Sequence, residues 1–271
     1  MPQTRVPEEA DFAPLAPQLT ISLAFPSPPE STTAILLLFH GLGDIQTPFA
    51  DFARHLALPG VLGVAVRGTN PLPPALLGLE PDYDGPTNHF HWGDDLKLGS
   101  DGELEQDPGF EKAKGLVLGK LVKEVLVEKC GWETRDILLF GFGQGGSFAL
   151  GLASMVRIGL NVGGPGSVLE EGEAEGGKLF KGVLSIGGGL LSSMIPAVGE
   201  REKSKTPVLV LHGSESEGVD EFAADVLRQE FEEVKVVKWK RPDDGMPRSR
   251  EEVLPMMEFF AERLAAGDHL G

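Results

Sequence analysis

The strongest constraint on this chain is an alternation. Seven apolar segments of strand length recur along it with helical segments between them, the pattern of a mostly parallel sheet covered on both faces. Strands are expected at Leu19–Phe25, Ala34–His40, Val61–Arg67, Asp136–Gly141, Gly182–Gly188, Pro207–Gly213 and Val234–Trp239. Four of these are near-continuous apolar runs, as strands buried on both faces must be. Helices are expected over Thr47–Leu58, from Asp107 and Pro108 to Gly131, over Asp220–Phe231 and over Glu251–Leu264. The last carries Leu254, Met257, Phe260, Ala261 and Leu264 at helical spacing. A chain of 271 residues fits one α/β domain, here residues 19–266.

Three segments fall outside that pattern. Residues 1–18, rich in proline and acid, are expected to be a flexible, untargeted lead-in, which with the other features points to the cytoplasm. Residues 68–107 form an aperiodic excursion whose aromatics favour an ordered loop over a cleft. Residues 161–178 are glycine- and acid-rich, with the composition of a mobile surface insertion.

Charge and cysteine content narrow the function classes. A formal net charge of −17 repels phosphate backbones and anionic headgroups, so nucleic acid is not an expected partner. No apolar run approaches the roughly 20 residues that span a bilayer. The single cysteine, Cys130, has no internal disulfide partner and fits a reducing compartment. Near the end of an expected helix it faces the negative pole, which does not activate a thiolate.

The chemistry concentrates at DILLFGFGQGG, Asp136–Gly146. A strand that delivers Gly-x-Ser-x-Gly into a helix holds its serine on a strained turn, and the next backbone N–H contributes to an oxyanion hole. Here the string is Gly141-Phe142-Gly143-Gln144-Gly145, with every element present except the serine. Upstream, a second strand ends in His40-Gly41-Leu42-Gly43-Asp44, whose glycines allow a sharp turn and offer N–H groups to an anion.

Together these strings resemble the acyl-protein thioesterase and carboxylesterase branch of the α/β-hydrolases, whose usual motifs are HGLGD and GFSQGG. The Trp92-Gly93-Asp94-Asp95 stretch is similar to that family's Trp-Phe-Asp loop. Leu211–Gly213 resembles the strand end before its catalytic acid, and Gly245–Leu264 looks like its last turn and helix. The resemblance runs from about Leu19 to Leu264 and implies an α/β-hydrolase fold. It puts the nucleophile position at Gly143, the acid position at or near Ser216 and the histidine position at or near Arg248, residues that cannot perform those roles. It also implies that Leu42, Gln144 and Trp92 line a vestigial oxyanion hole and cleft.

Chain order in this fold is serine, acid, histidine. After His212 only His269 remains, beyond the last expected helix, whereas Glu215, Glu217 or Asp220 could substitute for the acid. Loss of a triad serine or histidine costs on the order of 10⁶ in turnover and leaves about 10³ to 10⁴ over water. Glycine at the elbow also relieves a backbone strain of about 1 to 3 kcal/mol.

Other reactive residues have plainer readings. Ser147 is expected on a helix surface, and His40 and His212 as structural side chains at strand ends. His89 and His91, with nearby carboxylates, form a two-histidine pattern without a third ligand, so no metal or cofactor is expected. Two functional readings stand. One is a pseudoenzyme acting through a protein partner or a small acyl or carboxylate ligand; the other is an active carboxylesterase or acyl-thioesterase with a displaced nucleophile.

Overall fold

The structure, a computed structural model, describes residues 3–16, 18–73, 76, 88–96, 104–105, 107–156, 179–196 and 202–265. Its strands are β1 (Ile21–Ala24), β2 (Ala34–Phe39), β3 (Val61–Val66), β4 (Asn70–Pro71), β5 (Phe90–His91), β6 (Ile137–Phe142), β7 (Gly182–Ile186), β8 (Val208–His212) and β9 (Val234–Lys238). All seven expected strands are present and form one sheet in the order β1-β3-β2-β6-β7-β8-β9. β1 runs antiparallel to β3, and every other pair in the sheet is parallel.

The register of β2 explains how the core divides. Successive side chains leave opposite faces of a strand. Ile35, Leu37 and Phe39 therefore enter one apolar cluster, and Ala34, Leu36 and Leu38 the other. The helices are α1 (Glu9–Phe12), α2 (Thr47–Leu56), α3 (Glu111–Lys114, continuing as a π-helical run Gly115–Lys129), α4 (Gln144–Val156), α5 (Glu221–Glu230) and α6 (Arg250–Ala265). α3 and α4 cover the first face, and α2 and α6 the second. α5 opens as expected, with the Asp220 carboxylate accepting from Ala223 N at 2.7 Å.

Two expectations need correction. α3 does not begin at Asp107, whose carboxylate instead accepts from Ser193 N at 2.8 Å and from the Ser193 hydroxyl. Its orphan N-terminal donors are capped from the excursion, where Asp94 accepts from Glu111 N at 2.6 Å and Lys112 N at 2.9 Å. The lead-in is docked rather than loose over residues 3–16. Phe12 and Leu15 are buried in the core, and the Asp11 carboxylate takes both Arg5 guanidinium nitrogens at 2.7 Å and Lys129 Nζ at 3.0 Å. The proline-rich composition hid two apolar anchors and a buried carboxylate paired with exposed Arg5 and Lys129.

The excursion is also anchored where it is described. β4 and β5 pair within it, and Trp92 follows directly. The 161–178 segment and His269 lie outside the described residues.

Candidate functional site

The elbow is built by close approach. β6 ends at Phe142, Gly143 takes φ +51°, and α4 begins at Gln144. Gly143 N donates to Ile186 O at 2.8 Å, which ties the turn to the neighbouring strand, while Gly143 O accepts from Gly146 N and Ser147 N. A side chain at Gly145 would strike the carbonyls of Phe39 and His40, so α4 can start only this near β2 because that residue is glycine. At Gly143 itself a Cβ would meet nothing nearer than Gly41 Cα at 4.0 Å. Glycine there is a matter of backbone conformation, not of space.

The second turn stands beside it. Gly43 takes φ +81° and spends its N–H on Phe90 O at 2.8 Å, so it offers no donor to an anion as the sequence had suggested. The N–H groups of Leu42 and Gln144 have no acceptor among the described residues. They flank a cleft of about 240 Å³ that Leu42, Gly143, Gln144 and Ser147 line together with Leu96 and Glu105 of the excursion. Two unengaged backbone donors thus belong to residues that border the cleft beside the elbow.

Ser147 departs from expectation. It is 6% exposed and lines the cleft rather than the helix surface, because α4 is the central helix and is buried almost all round. Trp92 departs in the other direction. It is wholly buried, stacked on Phe148 at 4.9 Å and edge-on to Phe39 at 5.3 Å, and its Nε1 donates to His40 O at 2.8 Å. It is a core pillar behind the cleft, not part of its lining. Its backbone N–H donates to Gln144 Oε1 at 2.9 Å, so the Gln144 side chain braces the excursion.

Ser216 and Arg248, where the resemblance implies an acid and a base, belong to a network of their own. Ser216 Oγ donates to Asp244 Oδ2 at 2.7 Å, and Gly213 N donates to Asp244 Oδ1 at 2.7 Å. Asp244 packs so closely on Gly187 that a Cβ there would come within 2.6 Å of Asp244 Cβ. Arg248 is largely exposed, bonded through its guanidinium to Asp243 Oδ2 at 2.8 Å and through its backbone N–H to Glu252. Burial works to raise the Asp243 carboxyl, but Arg241 and Arg248 outweigh it and hold the group below the usual range. Glu215, Glu217 and Asp220 are not among the residues lining the cleft. No local pattern marks Asp244, since its partners lie 31 and 28 residues away.

The histidines at the strand ends are structural. His40 Nδ1 donates to Gly41 O at 2.7 Å, and Nε2 accepts from Gly68 N at 2.8 Å, leaving no ring nitrogen to act as a base. Its pKa is lowered by burial first, then by the Arg67 charge. His212 Nδ1 lies 2.8 Å from Gly213 O. His91 is buried and held low, first by burial and then by Lys112, whereas His89 is exposed with Nδ1 2.8 Å from Gly43 O. Among the described residues no three histidine, cysteine, aspartate or glutamate side chains gather as metal ligands. Burial and the Asp11 charge push the Cys130 thiol up to about 11, which makes it a poor nucleophile.

These shifts predict a pH dependence. Folding disfavours the protonated forms of His40 and His91, while the unfolded chain protonates them near pH 6.5. The unfolded state therefore binds more protons below that pH, and each histidine lowers stability by up to about 1.4 kcal/mol per pH unit. Asp11, held below the usual range first by its Arg5 hydrogen bonds, adds its loss only below about pH 4. Urea midpoints measured at pH 7.5 and 5.5 should fall with pH; equal midpoints would mean that these imidazoles titrate normally in the folded chain.

Known proteins share this architecture. The maize (Zea mays) acyl-protein thioesterase 2 superposes with a TM-score of 0.62 at 20% identity, covering 90% of this chain and 99% of that one. A Bacillus cereus carboxylesterase gives 0.56 at 12%, covering 94% and 100%. An uncharacterized hydrolase of Schizosaccharomyces pombe is 26% identical over 232 residues, 85% of this chain and 83% of that protein. No helix among the described residues is long and apolar enough to cross a membrane. Residues 23–164, which include both glycine turns and the elbow, match the phospholipase/carboxylesterase family model, and the chain belongs to that family within the α/β-hydrolase fold.

Proposed function

We propose that this chain is a non-catalytic member of its family, which uses the elbow cleft to bind a ligand or partner rather than to hydrolyse one. The observation that carries the reading is the network at the acid and base positions. Where a hydrolase needs a carboxylate oriented on an imidazole, Ser216 is bonded to Asp244, and Arg248 is paired with Asp243 at the surface. Gly143 supplies no nucleophile. The Leu42 and Gln144 N–H groups, on residues that line the cleft and without an acceptor among the described residues, suit the carbonyl or carboxylate oxygen of a small acyl ligand, or of a protein partner's side chain. We place its action in the cytosol, where the lone thiol of Cys130 stays reduced.

Restoring the nucleophile alone tests this reading. Gly143→Ser has room for its side chain and should fold with a Tm within a few degrees of the parent. It should show no turnover of p-nitrophenyl butyrate or of a short-chain thioester, because no base stands beside it. Turnover by this single variant would mean that a base is present and the reading is wrong.

One observation favours a second reading, an active esterase with a displaced nucleophile: Ser147 lines the same cleft as the two backbone donors. Against it, neither His40 nor His212 is among the lining residues. A fluorophosphonate adduct on Ser147 would support the esterase reading.

A further inference from the structure

A second cavity lies on the other side of the elbow and shares no lining residue with the cleft. It is a groove of about 420 Å³ between α2 and α6, a volume in the range of small-ligand sites. Phe52 and Leu56 of α2 form one wall, Val253 of α6 forms the other, and Phe142 and Met246 lie between them. All five are only partly buried although they pack on the core cluster of that face, so the groove presents a continuous apolar lining.

Its titratable lining residues stand apart, Asp44 just before α2 and His55 in the last turn of that helix. Asp44 accepts from Ile45 N at 2.8 Å through Oδ1, and Oδ2 has no partner among the described residues. His55 is exposed, and its Nδ1 is engaged by Asp51 O at 2.7 Å. The Asp44 carboxylate therefore calls for a cationic donor. Asp44 brings a negative charge in a chain whose net charge is already −17.

We propose that this groove binds a medium-chain aliphatic primary amine, with its chain between α2 and α6 and its ammonium on the Asp44 carboxylate. A carboxylate of the same length would face the like charge of Asp44. A neutral alcohol could supply one hydrogen bond but no charge. The site is thus the chemical opposite of the elbow cleft, whose free groups are N–H donors. It also stands independently of whether the chain is catalytic.

Calorimetric titration of the full chain at pH 8 with n-octylamine, n-octanol and octanoate tests the proposal. The amine should bind, octanol more weakly, and octanoate not at all. Val253→Trp fills the groove and should weaken the amine at least tenfold. Asp44→Asn should weaken the amine about fivefold and leave octanol unchanged, which separates the charge from the apolar wall even if the tryptophan variant fails to fold. Failure of the amine to bind, octanoate binding as tightly as the amine, amine affinity unchanged in a folded Val253→Trp chain, or equal loss of amine and octanol in Asp44→Asn would each overturn it. None of these outcomes bears on turnover at the elbow, so the two proposals fail separately.

Discussion

Replacing Trp92 with alanine should destabilise the chain by about 3 to 5 kcal/mol, the range for removing a fully buried tryptophan. The indole is 0% exposed and is the contact through which the excursion reaches the core, with Phe148 on its face, Phe39 at its edge and His40 O on its nitrogen. Truncation removes all of these at once and leaves a cavity beside α4 and an unanswered carbonyl. At roughly 2 to 4 °C per kcal/mol for a domain of this size, Tm should fall by about 6 to 20 °C. Trp92→Phe, which keeps the stacking but loses the hydrogen bond, should recover more than half of the loss. A Tm change below about 3 °C for the alanine variant would mean that Trp92 is not in the core.

The second large effect is expected at Gly145. Its alanine variant forces a methyl into two backbone carbonyls on β2, which cannot move aside as a side chain could. Overpacking of this kind costs about 3 kcal/mol or more where the neighbour is rigid. The matched control is Gly143→Ala, two residues earlier. Its Cβ meets open space, and only the positive φ counts against it, at about 1 to 2 kcal/mol. Denaturant midpoints of the two variants should therefore differ clearly, with Gly145→Ala the lower. If they are equal, α4 does not approach β2 as closely as described.

The same residues show what could be read from the sequence and what could not. The strands were legible because a parallel strand covered on both faces has to be a run such as AILLLF, and few other structures tolerate one. The elbow was legible because glycine at 141, 143 and 145 answers separate demands of contact and conformation. Trp92 was assigned to the cleft because an aromatic in an aperiodic segment carries no period to show which way it faces; only the packing of Phe148 decides it. Ser147 was misplaced because helical spacing gives a face, but not whether a helix is buried all round. Asp244 was missed because KRPDDGMPR has no pattern and its bonds reach back to β8 and the turn after it. The docked lead-in escaped for a similar reason, since composition registers prolines but not that Phe12 and Leu15 find pockets.

The central claim is that the family's hydrolytic chemistry is absent while its cleft remains. The most direct measurement is treatment of the purified native chain with a fluorophosphonate, read by intact mass and peptide mapping, alongside p-nitrophenyl ester and acyl-thioester turnover. The expected result is an unmodified mass and no turnover above the uncatalysed rate. A stoichiometric adduct on Ser147 or any other residue, with turnover abolished by labelling, would contradict it.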